Sequence, residues 1–266
     1  MIRLSFVCAL LCLSVAALAQ TPPLKPVSQS LIKQSPSNQA ANKQITSEHR
    51  GQAIKLLRRH AEQSLPVKVL VADYVQRRTT TLSKKPLRSS GSFLFVRKPS
   101  CVVFRAEKPR QSIVRLTKEL YEVFRPRRKR LERFRLDGPD LSQGLFAAVG
   151  GDADRLLKDF DVAGLLVGEG QAKTPTKPSP VTSAIRLVPK SKAMRERLQE
   201  LIVTFAVVAK DKAKPDVTLR SVAYRDHSGD LIEIELRNVR ANPKHPPSVV
   251  FDVPKGTKVI EHRAGR

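Results

Sequence analysis

From Val67 to Leu136 the chain alternates and turns too often to form anything but an antiparallel sheet. In "VKVLVADYVQRR", Leu70, Ala72, Tyr74 and Gln76 share one face, and Val69, Val71, Asp73 and Val75 share the other. Strand-like runs follow at 90–97, 101–107, 111–116, 119–125 and 129–136, separated by short turns marked by Pro or clustered charge. Parallel neighbours need crossovers of roughly a dozen residues, so these spacings dictate antiparallel pairing.

One stretch breaks the expected pattern. A sheet covered on one side should alternate apolar and polar residues. In "SFLFVRKPSCVVFRAEKP", however, Phe93 to Val96 and Cys101 to Phe104 are apolar on both faces, around the basic corner Arg97-Lys98-Pro99. Either Phe93 and Phe95 or Leu94 and Val96 face the interior. The residues alone leave that choice open.

Helical patterns flank and interrupt the strands. Ile54, Leu57 and Ala61 recur three and four apart, so a helix is expected over 47–64, capped by Ser47 and ended before Pro66. Over 139–162, Asp140 is an expected N-cap, Leu141, Leu145, Phe146 and Val149 form a stripe, and Gly150-Gly151 stops it. A second short helix follows over 152–160, with Leu156, Leu157 and Phe160 on one side. "QAKTPTKPSP", 171–180, reads as a loop. Strands resume at 183–189, 198–209, 216–225, 231–239 and 247–253, with "DHSGD" as a turn. In "LIEIELRNV", Ile232, Ile234 and Leu236 oppose Glu233, Glu235 and Arg237.

The N-terminus reads as an export signal: Arg3, an apolar run from Leu4 to Val15, and the small-x-small site Ala17-Leu18-Ala19. Cleavage after Ala19 and an extracytoplasmic, periplasmic location are expected. Residues 20–46, rich in Pro, Ser, Gln and Lys, read as a disordered linker, followed by one domain over 47–262. Beyond the signal only Cys101 remains, which excludes an intrachain disulfide framework and leaves folding to an apolar core.

Forty-nine Lys and Arg against 24 Asp and Glu give a formal charge of +25. Such a charge favours anionic partners, and export turns that expectation from nucleic acid toward an anionic membrane surface. No catalytic constellation, metal-ligand spacing or phosphate loop is present in the sequence. No catalytic residue, metal or cofactor is expected, and an enzyme is not. "RPRRKR", 125–130, reads as a solvated hairpin tip able to touch an anionic surface.

The order of these pieces is similar to a known family. An exported chain carries an N-terminal helix, the strand "ADYVQ", the corner "VRKPSCVVF" and the hairpin "LYEVFRP". It continues through "IRLVPKS" and "HSGDLIEIELRNVRAN" to "FDVPKGTKVI". Over about residues 50–261 this resembles LolA, the family of periplasmic carriers of outer-membrane lipoproteins. The resemblance implies a mainly β (α+β) fold: an incomplete, strongly curved antiparallel β-barrel with an N-terminal helix and a helical lid over its mouth. It implies a monomer that carries acylated lipoproteins or other lipids, with no cofactor. An inner-membrane lipoprotein-releasing ABC transporter and an outer-membrane acceptor would be its partners.

The acyl site so implied draws on Leu70, Ala72 and Tyr74, on Val102 and Phe104, on Ile232, Ile234 and Leu236, and on Phe251. The lid would add Leu145, Phe146, Val149, Leu156 and Leu157, hinged at Gly150-Gly151. The family's basic residue before the corner Pro corresponds to Lys98, and the aromatic beyond it to Phe104. The chain departs from the family in having no Trp. Phe104 replaces one, Glu122 falls at the other, and Thr117-Lys118 stands at the usual Asp-Gly turn. From the residues alone, a basic polyanion- or membrane-surface-binding protein with a filled core stands as the alternative.

Overall fold

The computed structural model describes residues 46–81, 83, 85–136, 141–168, 181–208, 215–250 and 252–262. The signal segment, the linker up to residue 45, the cap Asp140, the loop 171–180 and Phe251 lie outside the described residues.

Six strands are laid down first: β1 (Val69–Thr79), β2 (Leu87–Val96), β3 (Cys101–Lys108), β4 (Ser112–Thr117), β5 (Leu120–Arg125) and β6 (Arg130–Arg135). After two helices come β7 (Phe160–Gly168), β8 (Val181–Pro189), β9 (Leu198–Val208), β10 (Asp216–Asp226), β11 (Leu231–Ala241) and β12 (Lys258–His262). They form one sheet in the order β12-β6-β5-β4-β3-β2-β1-β11-β10-β9-β8-β7. The sheet is strongly curved and open, with β7 and β12 as its edges. The central seam is β1 on β11, where Tyr74 opposes Leu236 and Gln76 opposes Ile234.

The described residues hold four helices: α1 (Ser47–Ser64), α2 (Leu141–Gly150), α3 (Ala153–Asp159) and α4 (Lys192–Arg195). Helix α1 is capped one residue earlier than expected, by Thr46 in place of Ser47: the Thr46 hydroxyl accepts the His49 N–H. Its buried stripe is Ala53, Leu57, His60 and Ser64. Helix α2 is buried at every position from Gly144 to Gly150 except the half-buried Phe146. A helix that is apolar nearly all round needs cover on every side, and here the curved sheet supplies much of it.

Which face of β2 and β3 points inward is settled by the two clusters they join. Phe93, Phe95, Val102 and Phe104 belong to the main core on the concave face. Leu94, Cys101 and Val103 join Val71 on the convex face, with Val69, Val96, Ile113 and Val249 packed around them. Val249 lies on the segment 242–257, which leaves β11 and crosses the outside of the sheet to reach β12. Arg105 donates to the Ser248 carbonyl along the way. The strands around the corner are apolar on both faces because helices cover one and this strap covers the other.

The strap corrects two expectations. Residues 247–253 were expected as a strand, but the described ones form none: the segment lies across the sheet's outer face, and Pro246, Pro247 and Pro254 deny it ladder donors. The final strand is instead β12, and it pairs parallel with β6, Val259 opposite Leu131. The long strap is the crossover that a parallel pair requires. Strand β7 and helix α4 were not expected at all. The short helix over 152–160 ends one residue early, since Phe160 begins β7.

Ion pairs occupy the convex face. Glu122, almost fully buried, sits between Arg115 and Arg133, and Arg133 also reaches Glu261 of β12. Glu200 lies between Arg186 and Arg225. Buried ion pairs do little for net stability, but removing one partner is costly. The "DHSGD" turn is structural too: Asp226 accepts from Ser228 and the Asp230 N–H, while Asp230 takes Arg78 at 2.7 Å.

Candidate functional site: a plugged half-barrel

The concave face gathers every expected acyl-site residue that is described. Ala72, Tyr74, Val102, Phe104, Ile232, Ile234 and Leu236 come from the sheet, and Leu145, Val149 and Leu156 from α2 and α3. All are buried in one cluster, against which Leu70, Phe146 and Leu157 pack. Tyr74 and Phe93 flank Phe104, with ring centroids 5.2 and 5.1 Å away. Burial pushes the Tyr74 phenol up to about 12.

The face is filled in this structure. Val102, Ile185, Val203 and Phe205 expose no surface. The helices plug the half-barrel with their own side chains.

The two main helices are held differently. Helix α1 is bound to the start of β10: Gln63 accepts the Val217 N–H at 2.8 Å and donates to the Pro215 carbonyl at 3.1 Å. Arg59 donates to the same carbonyl, and Arg50 pairs with Asp161 on β7.

Among the described residues, helix α2 is held by two side-chain ties from outside, both near its C-terminal end. Arg97 donates from Nη2 to the carbonyls of Gly150 (2.9 Å) and Ser64 (2.6 Å), and from Nε to that of Val67 (2.7 Å). One guanidinium thus joins the β2–β3 corner to the ends of α1 and α2, satisfying helix-terminal carbonyls that have no intrahelical donor. The second tie is His60, buried at 7 % exposure. Its ring nitrogens lie 3.3 Å from the Ala148 carbonyl in α2 and 3.4 Å from the Val217 carbonyl in β10. A neutral imidazole donates to only one of these acceptors. Burial lowers the His60 pKa more than the carbonyls raise it, with Arg97 adding to the lowering.

Lys98, the expected basic corner residue, is exposed, whereas its neighbour Arg97 turns inward and makes the carbonyl bonds. Neither Arg97 nor His60 was among the expected site residues. His60 could have been found by its spacing, since it continues the stripe of Ala53 and Leu57. Arg97 carries no comparable signal beside Lys98.

The α1 and α2 ends meet at Gly151, whose φ is +67°. A Cβ there would lie 2.6 Å from Ser64 Cβ. Beside this junction a cavity of about 350 Å³ is lined by the apolar Phe95, Phe146, Ala147 and Gly150 and by the polar Arg97, Lys98, Ser100, Lys118, Asp152 and Arg155.

Among the described residues no group of His, Cys, Asp and Glu could hold a metal ion. No described helix is long and apolar enough to cross a membrane. Cys101 is buried and unpaired, and burial pushes its thiol pKa up.

No family model matches the sequence. No curated protein matches it either. Solved structures similar to it include LprF from Mycobacterium bovis, at 14 % identity over 76 % of this chain and 98 % of that one, with a TM-score of 0.41. The Mycobacterium tuberculosis lipoprotein LppX is similar at 11 % identity over 76 % and 99 %, with a TM-score of 0.39. A LolA superfamily protein from Nitrosomonas europaea is similar at 11 % identity over 71 % and 93 %, with a TM-score of 0.36.

Proposed function

We propose that the chain is a carrier of acyl chains, whose concave face exchanges the side chains of α2 for those of a lipid or acylated lipoprotein. The observation behind this reading is the placement of α2: an apolar helix in the mouth of an open, apolar sheet, with Arg97 and His60 as its polar ties.

Magnitudes support an exchange. Withdrawing Leu145, Phe146 and Val149 costs about 2 kcal/mol each. Breaking the charge-assisted Arg97–Gly150 bond adds about 2–3 kcal/mol. Burying one 16-carbon chain returns about 12 kcal/mol at 0.8 per methylene. One chain offsets the opening of the lid with a modest surplus, which suits a protein that must also release its cargo.

The export signal and the LolA resemblance extend the reading to a periplasmic carrier that takes lipoproteins from an inner-membrane ABC transporter to an outer-membrane acceptor. Catalysis has no part in it. Native mass spectrometry of protein purified from the periplasm tests the reading. Co-purified acyl lipid released by organic solvent is the expected result, and protein that neither carries nor takes up acyl lipid overturns it.

The packing of the concave face favours a second reading. A filled core that never opens, with the exposed Arg127, Arg128 and Lys129 at the β5–β6 tip, describes a polyanion- or membrane-surface-binding protein. It expects salt-sensitive retention on heparin and no acyl uptake.

A further inference from the structure

We infer that the cavity beside the α2 latch is a subsite for a phosphate-class anion, the head group of an amphiphile whose chains lie on the concave face. The inference rests on the carrier reading and adds the chemistry of the cargo's polar end.

The cavity's lining is of two kinds. Phe95, Phe146, Ala147 and Gly150 are its apolar part, continuous with the plugged face, since Phe95 and Ala147 belong to the main core and Phe146 packs against it. The rest of the lining brings cations from three elements: Arg97 and Lys98 from the β2–β3 corner, Lys118 from the β4–β5 turn, and Arg155 from α3. One carboxylate faces them, Asp152, and one of its oxygens already accepts the Arg155 N–H at 3.0 Å. Four positive groups against one negative among the lining residues leave the cavity cationic, even with Arg155 paired to Asp159 at 3.7 Å. Elsewhere the chain pairs many of its arginines, as along the convex face, but Lys98 and Lys118 form no hydrogen bond or ion pair among the described residues.

A volume near 350 Å³ falls within the range of small-ligand sites. It suits a head group together with the first atoms of its chains. Cations brought from several elements suit a tetrahedral anion, which accepts bonds from several directions. A neutral amphiphile would leave the cations unused, and a fully apolar chain would have to desolvate them. Arg97 lines this cavity while holding the lid, with Nη1 outside its three latch bonds. The head group would therefore settle against the residue that keeps α2 closed.

The test compares three probes on the full mature protein by calorimetry: dihexanoyl phosphatidylglycerol, dihexanoyl phosphatidylcholine and inorganic phosphate. Wild type is set against the double variant Lys98→Gln/Lys118→Gln, both of whose sites are exposed, so that folding is preserved. Wild type should prefer the phosphatidylglycerol, and the preference over phosphatidylcholine should fall about tenfold in the variant and weaken with salt. Competition by inorganic phosphate assigns the site to the phosphate itself; its absence assigns it to the anionic lipid as a whole. A preference unchanged in the variant, or no preference in wild type, overturns the subsite and leaves the carrier reading standing. If neither lipid binds, the carrier reading fails. The subsite then stands only if inorganic phosphate binds wild type and loses affinity in the variant, and it falls otherwise.

Discussion

Arg97 Nη2 donates to the Gly150 carbonyl at 2.9 Å, and through that bond a β-corner holds the last turn of a helix it never contacts in sequence. The same nitrogen reaches Ser64 at the end of α1. A single side chain therefore holds the closed arrangement of the mouth at the point where α1 and α2 converge. If α2 is a lid, this is its catch.

Removing the catch should loosen the lid selectively. Arg97→Leu is expected to lower stability by about 2–3 kcal/mol, because the Gly150 and Val67 carbonyls lose the Arg97 donor and Ser64 keeps only the Val67 N–H. Hydrogen exchange should quicken at the α2 amides while β9 and β10 keep their protection. Arg97→Lys should rescue little, because one ammonium cannot span the three acceptors that a guanidinium fork reaches. Uniform loss of protection across sheet and helices would make Arg97 an ordinary core support.

The glycine pair behaves differently from a simple hinge. The family resemblance implies a hinge at Gly150-Gly151. In the structure Gly151 has a positive φ, and an added Cβ meets Ser64 at 2.6 Å. Gly151→Ala should therefore wedge α1 from α2 and cost about 1–3 kcal/mol in the closed state. At Gly150 the nearest atoms to an added Cβ belong to the Phe95 ring, at 3.1 Å, so Gly150→Ala should cost less. Thermal melts of the two single variants check the order.

Acid should weaken the closed state through His60. Its folded-state pKa is lowered, chiefly by burial, so the unfolded chain binds the proton more readily. The contribution to stability is fully present above about pH 6.5 and is lost as pH falls from there toward the lowered folded value. Urea midpoints should decline over that window in wild type and decline less in His60→Gln. Parallel profiles for the two proteins would show that another group governs the acid limb.

Ile234 separates a packed face from a hollow one. It is 3 % exposed, opposite Gln76 and Val222 in the sheet. Ile234→Glu should cost several kcal/mol and unfold the domain unless the carboxyl stays protonated. A folded variant with a near-native melting temperature would mean that the interior is wet.

Much of the architecture was legible because one face of each strand differs chemically from the other. Ile232, Ile234 and Leu236 against Glu233, Glu235 and Arg237 fix both strand and orientation, and the inward set lies in the main core. Around the corner that logic failed. Phe95 and Leu94 are equally apolar, and only the strap bearing Val249 decides which faces out. Strand β7 was hidden by Gly164 and Gly168 and by its start at the last residue of an expected helix. Strand β12 is short and takes its partner from far upstream, which no local pattern reports. Arg97 and Lys98 are adjacent cations on one corner, and which of them turns inward depends on carbonyls brought there by two helices.

The central claim, that acyl chains replace α2 on the concave face, has a direct test because the chain contains no tryptophan. Phe104→Trp places the only indole between Tyr74 and Phe93, deep in the core cluster, and Phe146→Trp places it on the lid. The measurement is quenching of that indole by a fatty acid brominated along its chain, in variants first shown to be folded. The carrier reading expects saturable quenching of the buried indole, with bromine near the chain end quenching differently from bromine near the carboxyl. Emission from Phe104→Trp that stays unchanged at every concentration of the brominated chain would contradict it, and the filled-core reading would take its place.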